Sequence, residues 1–537
     1  MKLYHILENS QQFKSICKGV LESKTPFGCV GLSHIHKAHY CAALHHRFNS
    51  PMIVIAPDEP SSIRLFEDIR ALLPDQTVLH FPTKELMLHT AEASSGEYEF
   101  MRMGCMEALR NGKALVVTSA EAAMQYTVGP VALAKRSALL KGSFNDGPEG
   151  LVYLLHNAGY ARCEQVEGVC TYAVRGGIVD FFAPALPEPV RVEFWGDEID
   201  SITFFSPDTQ RRGDYADEVM ITPAREALAP EEGLEPLLKQ LLTKQKHNAA
   251  KQELERMLQN IANGVSAGSL DRFLPLLYDR PYTLFDHLPE QGIVALSDPA
   301  ACRESLAGAL WQLTQDVTAL MEDGVCFSGC ESFSGDFDDL LCEISDRRSV
   351  VLDTFARTIP DLKLRGLINI QAMALAPWGG ELSHLLEDLR PYLHNGYAVT
   401  VLLPTKRGCD ALIHDLAGEG IAARYAEIPD NTEGVTVTDL TISSGFEYPA
   451  EKYAVISHAR SAAPPKRLKK KRKAADAIRS LSDLTEGDYV VHATHGIGVF
   501  SGIVKREVLG VTKDYIKIRY HGTDTLFVPV TQLDLVS

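Results

Sequence analysis

Four short, almost wholly apolar runs punctuate residues 1–147: Phe27 to Leu32, Met52 to Ala56, Thr77 to Phe81 and Ala114 to Thr118. Amphipathic stretches such as Ser61 to Leu73 and Glu97 to Arg110 separate them. A strand that is apolar at every position is buried on both faces, and helices must then cover both faces of its sheet. The chain therefore begins as an α/β unit around a parallel sheet. One hydrophobic core does not grow to 537 residues, so roughly three to five domains are expected.

The texture then changes repeatedly. Residues 148–224 carry short alternating runs, Thr171 to Val174, Ile178 to Phe182, Val190 to Phe194 and Ile199 to Phe205, separated by glycine- and proline-rich turns. That pattern predicts an antiparallel β-rich module inserted into the first unit. Residues 225–345 read as mostly helical, with one long stretch from Glu231 to Gly264 and a strand at Ile293 to Leu296 that returns to the first sheet. Residues 346–460 read as a second α/β domain of unknown role, with Ala398 to Leu403 and Ala422 to Tyr425 flanking a helix. A basic linker at 461–483 precedes a last β-rich segment, 484–537.

Composition narrows the function classes. Lys and Arg number 53 against 70 Asp and Glu, a net charge of −17, which disfavours non-specific binding to phosphate backbones and favours protein partners. No apolar run is long enough for a membrane span, and the amino terminus lacks a secretory pattern. The 11 scattered cysteines read as reduced thiols in a cytoplasm, and Cys326 and Cys330 lack a second pair at zinc-finger spacing, so no metal site is expected.

At the first strand-to-helix turn, Gly31 and Lys37 stand in the register of a phosphate-binding loop. Such a loop needs a second glycine before the lysine, for close backbone approach to phosphate, and a hydroxyl after it, for magnesium. His36 and Ala38 occupy those places, and a β-carbon at His36 is expected to crowd the cradle. After Ile293 to Leu296 comes Ser297-Asp298-Pro299 where an ATPase places Asp-Glu. The expectation is a degenerate loop without catalytic residues and without a bound cofactor.

Residues 165–226 contain Arg175-Gly176-Gly177 ahead of an apolar strand ending in Asp180-Phe181-Phe182, then Val190-Arg191-Val192-Glu193-Phe194, an acidic turn, and Ser206-Pro207-Asp208-Thr209-Gln210-Arg211. This segment resembles the UvrA-binding module shared by UvrB and the transcription-repair coupling factors. Residues 486–537 resemble the RNA-polymerase-interacting domain of those factors and of CarD-type regulators. Both segments, in this order on a UvrB-like core, are similar to the amino-terminal half of the transcription-repair coupling factor family. The fold class so implied is multidomain α/β: a degenerate P-loop, UvrB-like parallel core with an inserted β-rich module, a second α/β domain, and a small SH3- or Tudor-like barrel. Family members continue into an ATP-dependent DNA translocase and a regulatory domain. None of those motifs is present in this sequence, which therefore looks truncated, with DNA, ATP and magnesium belonging to the missing motor.

The resemblance places UvrA contacts on Arg175, Arg191 and Trp195. Period-2 alternation puts Arg191, Glu193 and Trp195 on one face, and Arg and Trp are favoured interface anchors. The competing reading is a solvated face whose arginines pair with Glu193, Asp197 or Glu198. For the terminal segment the resemblance implies the RNA polymerase β subunit as partner, docked along Gly502 to Arg506, with Ile503 or Val504 as apolar contacts and Lys505 or Arg506 as rim. The lysine-rich run at 466–473 reads as a solvated linker. A UvrB-like nucleotide-dependent helicase and a CarD-like transcription regulator stay open as alternatives.

Overall fold

The computed structural model describes residues 3–22, 25–84, 97–112, 114–184, 186–230, 232–263, 270–427, 432–458, 487–492, 496–508, 511–519 and 525–529. Beyond residue 490, side chains are described only for 499–504 and 516–519. The basic linker lies outside the described residues.

Seven parallel strands form the first sheet, in the order Gly366–Asn369, Phe27–Val30, Arg348–Leu352, Ile293–Ser297, Met52–Ala56, Leu115–Ser119, Val78–Phe81. Its central strands are buried at every position. Successive residues serve different cores: Val54, Val117 and Ala295 pack on one face, and Ile55, Val116 and Val294 on the other. That is the double burial implied by uniformly apolar runs. The helix expected to start at Ser61 starts at Glu59, because the Asp58 side chain accepts from Ser61 N–H at 2.8 Å and Pro60 suits the first turn.

The division drawn at residue 345 requires correction. The Arg348–Leu352 strand lies between Phe27–Val30 and Ile293–Ser297, and Gly366–Asn369 closes the sheet's edge. An apolar run such as Val350-Val351-Leu352 announces a buried strand but not which sheet takes it. The single helical stretch from Glu231 to Gly264 is also two helices, Glu235–Lys244 and Asn248–Ala262. The break falls at Gln245, whose backbone is extended and whose amide exchanges two hydrogen bonds with Ser328. A long-range contact here overrides local propensity.

The inserted module leaves and returns through a two-stranded antiparallel stem, Ala138–Lys141 with Glu218–Ile221. Between them stands a six-stranded sheet ordered Arg212–Tyr215, Glu198–Phe205, Val190–Trp195, Ile178–Phe181, Thr171–Arg175, Ala161–Arg162. Helix Gly147–Asn157 covers one face through Leu151 and Leu155 against Val179, Val190 and Val192. The second α/β sheet runs Met373–Leu375, Gly445–Tyr448, Tyr453–Ile456, Ala398–Leu403, Gly434–Asp439, Ala423–Tyr425. It packs on the first unit where Phe446 and Tyr448 meet His36 and His39, and where Asp68 accepts from the Ser443 amide and hydroxyl.

At the carboxy terminus, Tyr489–His492, Gly496–Val508, Val511–Arg519 and Thr525–Pro529 form a four-stranded antiparallel sheet. Among the described residues no helix is long and apolar enough to cross a membrane.

Candidate docking surfaces and a closed phosphate loop

The turn after Phe27–Val30 carries the residues in phosphate-loop register. Gly31 has φ +88, and a β-carbon there would stand 2.2 Å from the Ile370 carbonyl oxygen, so only glycine fits. Two amides of the turn are engaged by backbone carbonyls of a neighbouring segment. Gly31 N–H donates to the Thr354 carbonyl at 3.3 Å and Leu32 N–H to the Asp353 carbonyl at 3.2 Å. The helix begins directly at His34, leaving three residues for the turn.

His36 does not crowd that turn, contrary to the sequence expectation. It lies in the helix's first turn, accepts or donates at 2.7 Å to Ser33 Oγ, and packs its ring against Phe446 and Tyr448. Burial, then neighbouring His39, lowers its pKa to about 3, so the ring is neutral. Lys37 is buried, and its Nζ lies 2.5 Å from Asp298 Oδ2 at the end of Ile293–Ser297. The lysine in phosphate-loop register is thus neutralised by the Asp298 carboxylate. Ala38 is fully buried in the core.

Two more cations of the same unit are sequestered. Lys84 is paired with Glu99 and Asp271, each at 3.0 Å, and Arg102 forks onto Glu226 at 2.7 and 3.0 Å with both side chains wholly inaccessible. Thr127 donates to the same Glu226 carboxylate at 2.6 Å. Glu226 follows the inserted module in sequence, so this network fastens the module's exit to the core. The sequence alone does not single these residues out, because Asp271 lies 187 positions from Lys84, and Glu226 lies 124 from Arg102 and 99 from Thr127.

The inserted module offers the opposite situation. Strand register sets Arg175, Ile178, Glu193 and Ser201 in one row across its outer face, and Ala173, Asp180, Arg191 and Thr203 in the next. Trp195, at the hairpin end of its strand, is 84 % exposed. Arg175 is exposed and donates to the Glu164 carbonyl at 3.1 Å. Arg191 is different: its Nε and Nη2 grip both oxygens of buried Asp180 at 2.7 and 2.8 Å, and its guanidinium lies 4.7 Å over the Phe205 ring. Those Asp180 hydrogen bonds raise its pKa further. The intrachain partner of Arg191 is thus Asp180, none of the three acids expected from sequence, while Glu193 is taken by Arg212. Asp180 becomes visible as that partner only once the strands are paired. Tyr215, on the sheet's edge strand, is a second exposed aromatic that sequence reasoning passed over.

In the terminal sheet, Ile503 is 46 % exposed and Val504 half-buried. Gly496–Val508 pairs with Val511–Arg519 over 499–508, but with Tyr489–His492 only over 496–499. Among the described residues, the backbone edge from Ile503 to Arg506 therefore has a pairing strand on one side alone. The side chains of Lys505 and Arg506 lie outside the described residues.

Sequence comparisons bear on both surfaces. Residues 147–226 match the family model of the UvrB interaction domain, and residues 484–537 that of the CarD-like/TRCF RID domain. The transcription-repair-coupling factor of Bacillus subtilis is 28% identical over 99% of this chain and 46% of its own length. Those of Staphylococcus haemolyticus and Staphylococcus aureus (strain USA300) are 27% and 26% identical, each over 94% of this chain and 44% of theirs. The chain resembles transcription-repair-coupling factors along nearly its whole length. Both family models match within this one polypeptide. It spans about half the length of the curated relatives it matches.

Proposed function

We propose that this chain is the partner-docking part of a transcription-repair coupling factor, acting in nucleotide excision repair in the bacterial cytoplasm. The inserted module recruits UvrA, and the terminal segment, a small SH3- or Tudor-like barrel, holds the β subunit of RNA polymerase. The observation that carries the reading is the outer face of the inserted sheet, where a Trp195 that is 84 % exposed stands on the same module face as Arg175. An aromatic of that size left in water on a rigid strand is an interface anchor awaiting a pocket. Arg175 supplies an exposed guanidinium for a partner carboxylate, and Arg191 contributes by holding Asp180 and the strand pair in place.

The open edge at Ile503 to Arg506 suits addition of a partner strand through backbone hydrogen bonds, with Ile503 as apolar contact. The pairing of Lys37 with Asp298 supports the further reading that these 537 residues bind no ATP. Translocation on DNA and displacement of stalled polymerase would then belong to a motor outside them.

The test is a two-partner binding assay on the purified chain, with UvrA and with a polymerase β fragment. Binding of both, with UvrA lost in Trp195→Ala and Arg175→Glu and polymerase lost in Ile503→Asp, is the expected result. Polymerase binding without UvrA affinity would instead support a CarD-like regulator. Magnesium-dependent ATP turnover would support the helicase alternative.

A further inference from the structure

Three donor side chains outside both docking surfaces come together near the amino terminus. His5 and Glu8 lie three residues apart on the one-turn helix His5–Glu8, and His46 lies in the last turn of helix His34–Phe48. One ligating atom from each lies within 4.8 Å of the others. His5 Nδ1 is 3.0 Å from Glu8 Oε1, and the two imidazoles meet edge to face with centroids 5.7 Å apart. Buried Tyr4 packs against both rings, at 4.7 Å from His5 and 4.1 Å from His46, which holds them as a pair. Behind His46, the Gln76 amide nitrogen is 3.3 Å from Nδ1, while the amide oxygen is buried with no partner.

We propose that His5, Glu8 and His46 form a divalent metal site of zinc type, with Gln76 positioning His46. Two imidazoles and one carboxylate are a donor set that zinc takes, and three protein ligands leave a fourth tetrahedral position for water or another donor. Zinc bonds of about 2.0–2.1 Å set tetrahedral donors roughly 3.4 Å apart, so the cluster tightens by about an ångström through side-chain rotation. Metal on Nε2 of His46 leaves Nδ1 as an N–H that needs an acceptor. Oxygen and nitrogen of an amide are interchangeable in placement, and turning Gln76 over presents its unpartnered oxygen to that N–H. A four-residue helix cannot hold itself in water, so a metal joining it to His34–Phe48 would fasten the amino-terminal segment to the first α/β unit.

The experiment is titration of the full chain, stripped by chelator dialysis, with zinc chloride at neutral pH by calorimetry. Glu8→Gln, His46→Ala and Gln76→Leu are titrated alongside. One saturable site is expected in the unaltered chain. It should weaken roughly tenfold in Gln76→Leu and by more in the two ligand variants. Zinc should also raise the melting temperature of the unaltered chain and leave that of Glu8→Gln unmoved, and exposed Glu8 can be replaced without threatening the fold. No saturable zinc binding, or one unchanged isotherm across the unaltered chain, Glu8→Gln and His46→Ala, would overturn the proposal.

Discussion

The first α/β unit and the inserted β module handle cations in opposite ways. In the first unit Lys37, Lys84 and Arg102 are all buried, and each is neutralised by at least one carboxylate. In the module, Arg175 is exposed and donates to the Glu164 carbonyl, and Trp195 on the same face is exposed too. A buried charge pair fixes geometry and is costly to break, whereas an exposed fork contributes little until a partner removes the solvent. The difference separates buried architecture from a surface open to a partner: the first unit holds these three cations inside, and the module keeps Arg175 outside.

Breaking the inward arrangement should have the largest effect. Arg102→Met removes both hydrogen bonds to Glu226 and leaves a carboxylate with no solvent access. Burial alone would raise the Glu226 pKa, yet Arg102, Lys84 and the hydrogen bonds outweigh it and hold the group below its usual value. Loss of one partner from such a pair costs about 3–5 kcal/mol, read as a lower urea midpoint. A drop under about 1 kcal/mol would show that the network is not what fastens the module's exit to the core.

Acid should expose the same contrast more gently. His39 is fully buried between Tyr448 and the Leu3 carbonyl, and burial lowers its pKa from 6.5 to about 4. Between those values the unfolded chain binds a proton that the folded chain refuses. Stability therefore falls as pH drops from 6.5 towards 4, by up to about 1.4 kcal/mol per pH unit for such a histidine. His45 and His287, lowered to about 4 by the same burial, add to the slope. Urea midpoints against pH check this, and His39→Gln should flatten the curve by one histidine's share.

Trp195→Ala moves to the outward side. Truncating a central aromatic anchor typically costs at least about 2 kcal/mol of binding, some thirtyfold in Kd for UvrA, with stability changed by under about 0.5 kcal/mol. A folding defect of the same size would make Trp195 structural and erase the contrast.

Much of this was legible in the sequence wherever the signal is local. Met52–Ala56 and Glu97–Arg110 fall where apolar runs and periodicity place them, and the module's strands lie within a residue or so of their alternating patterns. What local pattern cannot carry is pairing. Arg348–Leu352 was legible as apolar but not as a central strand of the first sheet, and Asp180 not as the clamp on Arg191. His36 and Ala38 mark a departure from the phosphate-loop pattern, but the turn's own hydrogen bonds were not legible: carbonyls of Asp353 and Thr354, over three hundred positions away, take the Leu32 and Gly31 amides. Backbone acceptors carry no side-chain signature to read.

Arg175→Ala should give the smallest effect and the sharpest division of roles within the module face. Arg175 and Arg191 are both arginines on the same face, one row apart in register. Removing Arg191 strands Asp180, which is 2 % exposed, so both stability and UvrA binding should fall. Removing Arg175 strands only a backbone carbonyl that solvent can satisfy, so stability should hold within about 0.5 kcal/mol. UvrA affinity should still weaken by about 1–2 kcal/mol if the exposed fork meets a partner carboxylate. Calorimetric titration of both variants, paired with their melting temperatures, reads the two quantities separately. If Arg175→Ala binds UvrA as tightly as the unaltered chain, the open guanidinium is merely solvated, and adhesion on this face rests on the tryptophan alone.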